Sequence, residues 1–337
     1  MDINKVDVCC GLNWGDEAKG KVVAQLAKNG NYLFVCRWAG GHNAGHSVYV
    51  NGVKYKTHLI PCGIFYGVKS IIGPDCVVHI ESFFREIEAL KKEGFDTSLV
   101  KISPNAHIIT EAHIAEDKGQ YEEKTSTGSG ISQCYRDKYA RKGTRAKEMA
   151  SLKDYLWDGR LYGNILCEGA QGFWLDINHG NYPYVTSSTT LPYGACSLGF
   201  PPQCIQKIYG CSKIYDTRAG SDPLFPDTLL DDRDLQKVIE AGHEYGTTTG
   251  RKRKVNWLNV DKLIHAIIVT GTTHIIISKT DVLEEINVFK MYYNFRLHTY
   301  STIDIMKTYL EFVLRHSCER LEKIIFSNDV EKVEKLM

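Results

Sequence analysis

The sequence predicts an α/β fold, and three stretches carry that prediction. A short apolar run, Val6, Val8, Cys9 and Cys10, leads into the loop Gly11–Gly20 and then an apolar-periodic stretch from Val22 to Leu26. That order reads as buried strand, glycine loop and helix. A second buried run, Ile165-Leu166-Cys167, ends in Glu168-Gly169-Ala170-Gln171-Gly172; a third, Ile275-Ile276-Ile277, ends in Ser278-Lys279-Thr280-Asp281. Open α/β sheets place ligands at the carboxyl ends of such strands.

The first loop is the densest in chemistry. Backbone N–H groups before a helix N-terminus collect phosphate. Gly15, Gly20 and Lys21 match the first part of a P-loop, but Val22 stands where a hydroxyl would hold magnesium. Asp16 and Glu17 add two carboxylates to this loop. Their repulsion of phosphate calls for a divalent cation, and a carboxylate beside a phosphoryl group also suits a base.

The chain has 337 residues and a net charge of +1, so no global field attracts nucleic acid or an acidic membrane. Eleven cysteines in no zinc-like spacing, with Cys9 and Cys10 inside a strand pattern, fit a reduced compartment. The N-terminus lacks a signal-peptide core and no apolar run is long enough to span a membrane. A cytoplasmic protein of one domain over residues 1–337 is expected.

Leu33–Cys36 reads as a second strand, feeding Gly40-Gly41-His42-Asn43-Ala44-Gly45-His46-Ser47, a loop that suits a ligand approach or a hairpin turn. Val48–Val50 and Val53–Tyr55 flank Asn51-Gly52 and read as a β-hairpin. Ile71–Gly73 and Val77-Val78 are further strands, and Ser82–Lys92 a helix stopped by Gly94. Lys124 to Ile131 suits a second anion site or a linker. Asp176 and His179 are either metal ligands or a turn that satisfies its own backbone. Gly246 to Lys254 gathers Thr247, Thr248 and Thr249 with Arg251 and Arg253, enough to clamp a dicarboxylate or a phosphate. Asp281 at a strand end is placed to accept N1–H and the exocyclic amine of guanine, rejecting adenine by ~10⁴-fold. Thr302–Leu321 is a packing helix, and Ile324–Phe326 a last strand.

Together these segments resemble the adenylosuccinate synthetase family. The matching stretches are residues 13–21, Gly41 to His46, His58 to Pro61, Glu168 to Asp176, Tyr182 to Ser188, Gly246 to Arg253 and Ser278 to Leu283. The resemblance implies a large, mainly parallel central sheet flanked by helices, with a P-loop-like GTP site. It implies a GTP-dependent ligase of AMP biosynthesis that joins L-aspartate to C6 of IMP through a 6-phosphoryl intermediate. Magnesium and a homodimer are implied too. By matching position, Asp16 is the base and a metal ligand, His46 the acid, and Gly45 the second metal ligand through its carbonyl. GTP is assigned Gly15, Asp16, Glu17, Ala18, Lys19, Gly20, Lys21, Gly45, His46, Ser47, Arg253, Lys279, Thr280 and Asp281. IMP is assigned Asp16, Lys19, Asn43, His46, Thr127, Gln171, Thr186 and Arg251, with Arg141 reaching in from the partner subunit. Aspartate is assigned Thr247, Thr248, Thr249, Gly250, Arg251 and Arg253.

The chain departs from the family pattern at Asn13 (usually Gln), Ala18 (usually Gly) and Ser129 (usually Arg). It is short between Gly143 and Asn164, and Ser327-Asn328-Asp329 replaces a Ser-Thr-Gly turn that contacts guanine. Compact relatives in viruses of bacteria act on dGMP instead, several without the aspartate at position 16. A GTP-binding switch and a nucleic-acid binder through Arg251 to Lys254 are the readings from other classes.

Overall fold

The computed structural model describes residues 2–119, 127–220, 222–225, 232–245, 252–334 and 336. In chain order the elements are β1 (Ile3–Gly11), α1 (Lys19–Asn29), β2 (Phe34–Gly40), β3 (His46–Val50), β4 (Val53–Thr57), β5 (Lys69–His79) and α2 (Ile80–Lys92). Next come β6 (Val100–Ile102), β7 (His107–Ile109), α3 (Glu111–Gly119), α4 (Ile131–Tyr139), β8 (Gly163–Glu168), β9 (Ile205–Lys213) and β10 (Tyr215–Arg218). They are followed by α5 (Arg233–Ala241), β11 (Lys254–Asn259), α6 (Val260–Thr270), β12 (His274–Ser278) and α7 (Thr280–Ile286). The chain closes with β13 (Phe289–Tyr293), β14 (Arg296–Tyr300), α8 (Ile303–Ser317) and β15 (Lys323–Ser327).

Among the described residues a nine-stranded sheet runs β15-β12-β9-β1-β8-β2-β5-β6, with β7 also paired to β5. Every pairing in it is parallel. A strand buried on both faces must be apolar on both, which is why these strands read as unbroken runs. The alternation of side chains then divides them between two cores. On β1, Val6, Val8 and Cys10 enter one and Cys9 the other; on β12, Ile275 and Ile277 part from Ile276 in the same way. Helix α1 covers the second face with Val22, Val23 and Leu26. A smaller sheet, β10-β11-β13-β14, and the hairpin β3–β4 complete the strands.

The hairpin forms where Asn51-Gly52 predicts it, with Asn51 at φ 53° as a type I′ turn requires. Ile71–Gly73 and Val77-Val78 prove to be one strand, β5, that runs through Pro74. The last long helix ends at Ser317, short of Leu321, and Thr302 caps its start by accepting from Ile305 N. Cys9 and Cys10 are buried, and all eleven cysteines are free thiols. Among the described residues no helix is long and apolar enough to cross a membrane.

Candidate active site

The parallel order brings the carboxyl ends of β15, β12, β9, β1, β8 and β2 side by side. The loops that leave them carry most of the chemistry read from the sequence. This is the general position of ligand sites in open α/β sheets.

The loop between β1 and α1 folds around Glu17. Its Oε1 accepts from the backbone nitrogens of Asn13 (3.0 Å) and Gly15 (2.8 Å), and Oε2 accepts from Lys19 Nζ at 2.6 Å. Glu17 is fully buried, so its carboxylate occupies part of the cradle that a phosphate takes in a P-loop. The loop also packs against Gly172, where a Cβ would fall 2.4 Å from Glu17 Oε1 and 2.7 Å from the Gly15 nitrogen. Of the two loop carboxylates, only Asp16 therefore still calls for a cation. Lys19 already neutralises Glu17, and only the backbone of Glu17 remains for a nucleotide. Burial alone would lower Lys19, but Glu17 outweighs it and holds the ammonium above its ordinary range.

Lys21, the residue at the P-loop lysine position, turns elsewhere. Its Nζ donates to Ser327 Oγ (2.9 Å) and the Asp329 carbonyl (2.8 Å), tying α1 to the end of β15. Burial brings it down to about 8. The tail near Ser327 thus reaches the first loop through Lys21. Ala18, the N-cap of α1, sits at φ 62°, a left-handed conformation that costs any residue with a Cβ roughly 1–2 kcal/mol. That explains why glycine suits this position.

Asp16 also has positive φ, 61°, and its carboxylate emerges partly exposed beside Arg253, whose Nη2 lies 2.8 Å from Oδ2. Arg253 is held from behind by Glu244, 2.6 Å from Nη1. His46 opens β3 and is buried. Its Nδ1 meets Glu168 Oε1 at 2.5 Å, while Glu168 Oε2 accepts from the Cys62 nitrogen at 2.7 Å. Burial lowers His46 below its ordinary 6.5 although Glu168 pulls it up, and Nε2 is buried without a partner. Glu168 itself is held ionised, His46 and Arg37 outweighing its burial. Neutral His46 with Nδ1–H on Glu168 presents a bare Nε2; a second proton turns that atom into a donor.

The remaining assigned residues are placed as follows. Asn43 Oδ1 accepts from Gly41 N at 3.2 Å, and Gln171, at φ 55°, has a buried Oε1 with no partner. Thr186 N donates to the Leu175 carbonyl at 2.8 Å, and Thr127 is exposed, bonded to Ser129. Arg141 is exposed on the turn after α4, with φ 61°. Lys279 Nζ donates to the Gly242 carbonyl at 2.9 Å, and Thr280 and Asp281 open α7. Gly45 and Ser47 flank His46 at the start of β3, and Gly20 lies in the first turn of α1. Thr247, Thr248, Thr249, Gly250 and Arg251 lie outside the described residues, as do Gly246 and the stretch 120–126. Asp176 resolves in favour of the turn: its oxygens accept from Asn178, His179 and Thr190 nitrogens.

The two atoms that the family resemblance assigns to a metal, the Asp16 carboxylate and the Gly45 carbonyl, are both oxygens, the donor type that suits magnesium. His46 Nδ1, Cys62 Sγ and Glu168 Oε1 lie within 4.8 Å of one another, but nitrogen and sulfur suit softer ions and Nδ1 is already bonded to Glu168. Three groups of the site have no motif of their own: Lys213, Asp216 and Glu244. Lys213 ends β9, Asp216 lies in β10, and Glu244 stands two residues before Gly246 at the head of the threonine segment. Asp216, buried beneath Asn13, accepts from Asn13 Nδ2 (2.7 Å) and Asn259 N (2.9 Å), and burial raises it to about 7.

A family model described as adenylosuccinate synthetase matches residues 8–161 and 152–323. The adenylosuccinate synthetase of Parabacteroides distasonis is 37% identical over 345 residues, taking in 85% of this chain and 80% of its own length. The solved structure of fully ligated adenylosuccinate synthetase from Plasmodium falciparum superposes with a TM-score of 0.82 at 26% identity, covering 96% of this chain and 97% of that one. The cyanophage S-2L succinoaminodeoxyadenylate synthetase, bound to dGMP and dATP, gives 0.67 at 20% identity over 94% and 99% of the chains, a likeness of fold alone.

Proposed function

The chain belongs to the adenylosuccinate synthetase family, and on that premise we propose how its own residues carry the reaction. It is a GTP-dependent ligase that joins L-aspartate to C6 of IMP, giving adenylosuccinate, GDP and phosphate. In the scheme we propose, Asp16 takes the purine N1 proton, and O6, now bearing charge, attacks the γ-phosphoryl of GTP. The bond from that phosphorus to GDP breaks. The aspartate amine then adds at C6 and the O6 phosphate leaves with its electron pair; an oxo group alone would not. Protonated His46 donates from Nε2 to the γ-phosphoryl oxygens as charge shifts across them, with Glu168 keeping its ring oriented.

Asn43, Thr127, Gln171, Thr186 and Arg251 hold IMP in this reading, and Arg141 reaches the IMP of the partner in a homodimer. Residues 247–253 take aspartate, and Lys279 with Asp281 reads guanine. Magnesium at Asp16 and the Gly45 carbonyl would neutralise phosphoryl charge when bound. Residues 1–337 form one domain, and a cytoplasmic setting accords with the eleven free thiols.

One observation supports the scheme above the rest. Asp16 and His46, the proposed base and acid, each sit against a group of opposite formal charge, Arg253 Nη2 at 2.8 Å and Glu168 Oε1 at 2.5 Å. Phosphate release, assayed with IMP, aspartate and GTP and with each omitted in turn, tests it. Release without IMP or aspartate would point to a GTPase switch, and a preference for dGMP over IMP would overturn the substrate. Asp16→Asn and His46→Asn are each expected to lose ~10²–10⁴-fold in turnover; near-normal turnover in either refutes its role.

A further inference from the structure

Glu244 is a fully buried carboxylate with two cationic partners, Lys213 and Arg253. It accepts from Lys213 Nζ on both oxygens (3.1 and 3.2 Å), from Tyr215 OH at 2.7 Å and from Arg253 Nη1 at 2.6 Å. Its backbone carbonyl also takes the Arg253 N–H at 2.9 Å, and Tyr245 pairs with Lys252 across an antiparallel bridge. Residues 244–245 and 252–253 are therefore the two feet of the segment 246–251. Glu244 fastens both feet to Lys213, at the carboxyl end of β9 in the main sheet.

We propose that Glu244 is a positioning residue for the aspartate half of the reaction: it anchors one edge of the Arg253 guanidinium so that the other edge exchanges Asp16 for an incoming carboxylate. The inference rests on the reading of residues 247–253 given above. A guanidinium is a rigid planar fork, so fixing Nη1 also fixes where Nη2 points. Nη2 now meets Asp16, and Arg253 Nε is buried without a partner, so the fork still has a donor to give. Charge argues the same way. Lys213, Glu244, Arg253 and Asp16 sum to zero, and when Asp16 turns to the purine one positive charge is left for a carboxylate to meet. Lys213 also donates to Thr217 Oγ1 at 2.6 Å, a second partner that fixes the ammonium to which Glu244 is anchored.

The test is the pattern of KM values in Glu244→Gln. The amide keeps the shape but loses the charge that holds Arg253 and Lys213. Losing a charged hydrogen bond corresponds to about 10–100-fold. The aspartate KM is expected to rise by that factor, with the IMP KM within about twofold of the parent, and Glu244→Asp is expected to recover part of the loss. A uniform rise in every KM, or a fall in kcat at unchanged aspartate KM, marks a merely structural group and overturns the proposal. Should Glu244→Gln not fold, Tyr215→Phe removes one hydrogen bond from the carboxylate and no charge; the same selective rise, smaller in size, is expected, and its absence overturns the proposal. Thr248→Ala separates the two levels. If it leaves the aspartate KM unmoved, the reading of the segment fails; if it raises that KM while Glu244→Gln does not, only the role of Glu244 fails.

Discussion

Glu168→Gln isolates the electrostatic half of the His46–Glu168 pair while leaving its shape. The carboxylate holds the Cys62 N–H with one oxygen and His46 Nδ1 with the other, fully buried. Glutamine can accept only through its single oxygen. If that oxygen stays on the Cys62 N–H, the amide nitrogen faces His46 Nδ1 and forces the ring to accept there. The variant ring then carries its proton on Nε2 but cannot become imidazolium without opposing two donors. Hydrogen bonds to charged groups contribute about 1.5–3 kcal/mol, so turnover is expected to fall about 10–150-fold near neutral pH. The sign of the pH effect follows from the same charges. Donation by a charged Nε2–H, which the neutral tautomer of the variant does not supply, needs protonated His46, a form present below its pKa and lost as pH rises through it. Burial already lowers that pKa and Glu168 raises it, so removing the carboxylate lowers it further. The alkaline limb of the turnover profile should move to lower pH by about one to two units, each unit corresponding to 1.36 kcal/mol. Phosphate release across pH, with all substrates saturating, measures both quantities. Turnover within about threefold of the parent and an unmoved alkaline limb would refute the reasoning, since the loss argued from the pair is at least tenfold.

Two further substitutions report on the loop and what lies beneath it. Ala18→Gly relieves the left-handed backbone at φ 62° and is expected to stabilise the chain by about 0.5–1 kcal/mol, read as a rise of about 1–3 °C in Tm; an unchanged or lower Tm counts against strain there. Asp216 has a folded pKa raised to about 7, so its favourable term is present at low pH and is lost as pH rises through that value. Asp216→Asn lacks the titration, and Asn13, whose Oδ1 has no partner, can turn its amide to accept from the new one. Its stability relative to the parent is expected to climb by about 1–3 kcal/mol between pH 5 and 8; a pH-independent difference in denaturant unfolding would show that Asp216 is not held protonated.

Residues close in sequence were the ones whose geometry could be read directly. Strand, loop and helix from Val6 to Leu26 follow from apolar spacing and glycines, and the Asn51-Gly52 turn follows from the φ its residues tolerate. Asp16 and Glu17 are adjacent and chemically alike, yet one faces the site and the other is buried under the loop. Spacing carries no information on that choice, because positive φ at Gly15, Asp16 and Ala18 turns the chain between them. Lys19 and Lys21 likewise part company, the first pairing with Glu17 and the second reaching Ser327 and Asp329. A helix places them about 200° apart, and the end of β15 happens to lie beneath the second.

What the sequence determined by itself was the class of fold, the loops that bear the chemistry and the family whose motifs they spell out, since each depends on residues within a few positions of one another. What only the tertiary structure decided was pairing at a distance. Glu168 meets a histidine 122 positions away, Glu244 a lysine 31 away, and Asp216 an asparagine 203 away. A buried charge takes its partner from whichever strand the sheet order sets beside it, and that order is a property of the whole packed chain.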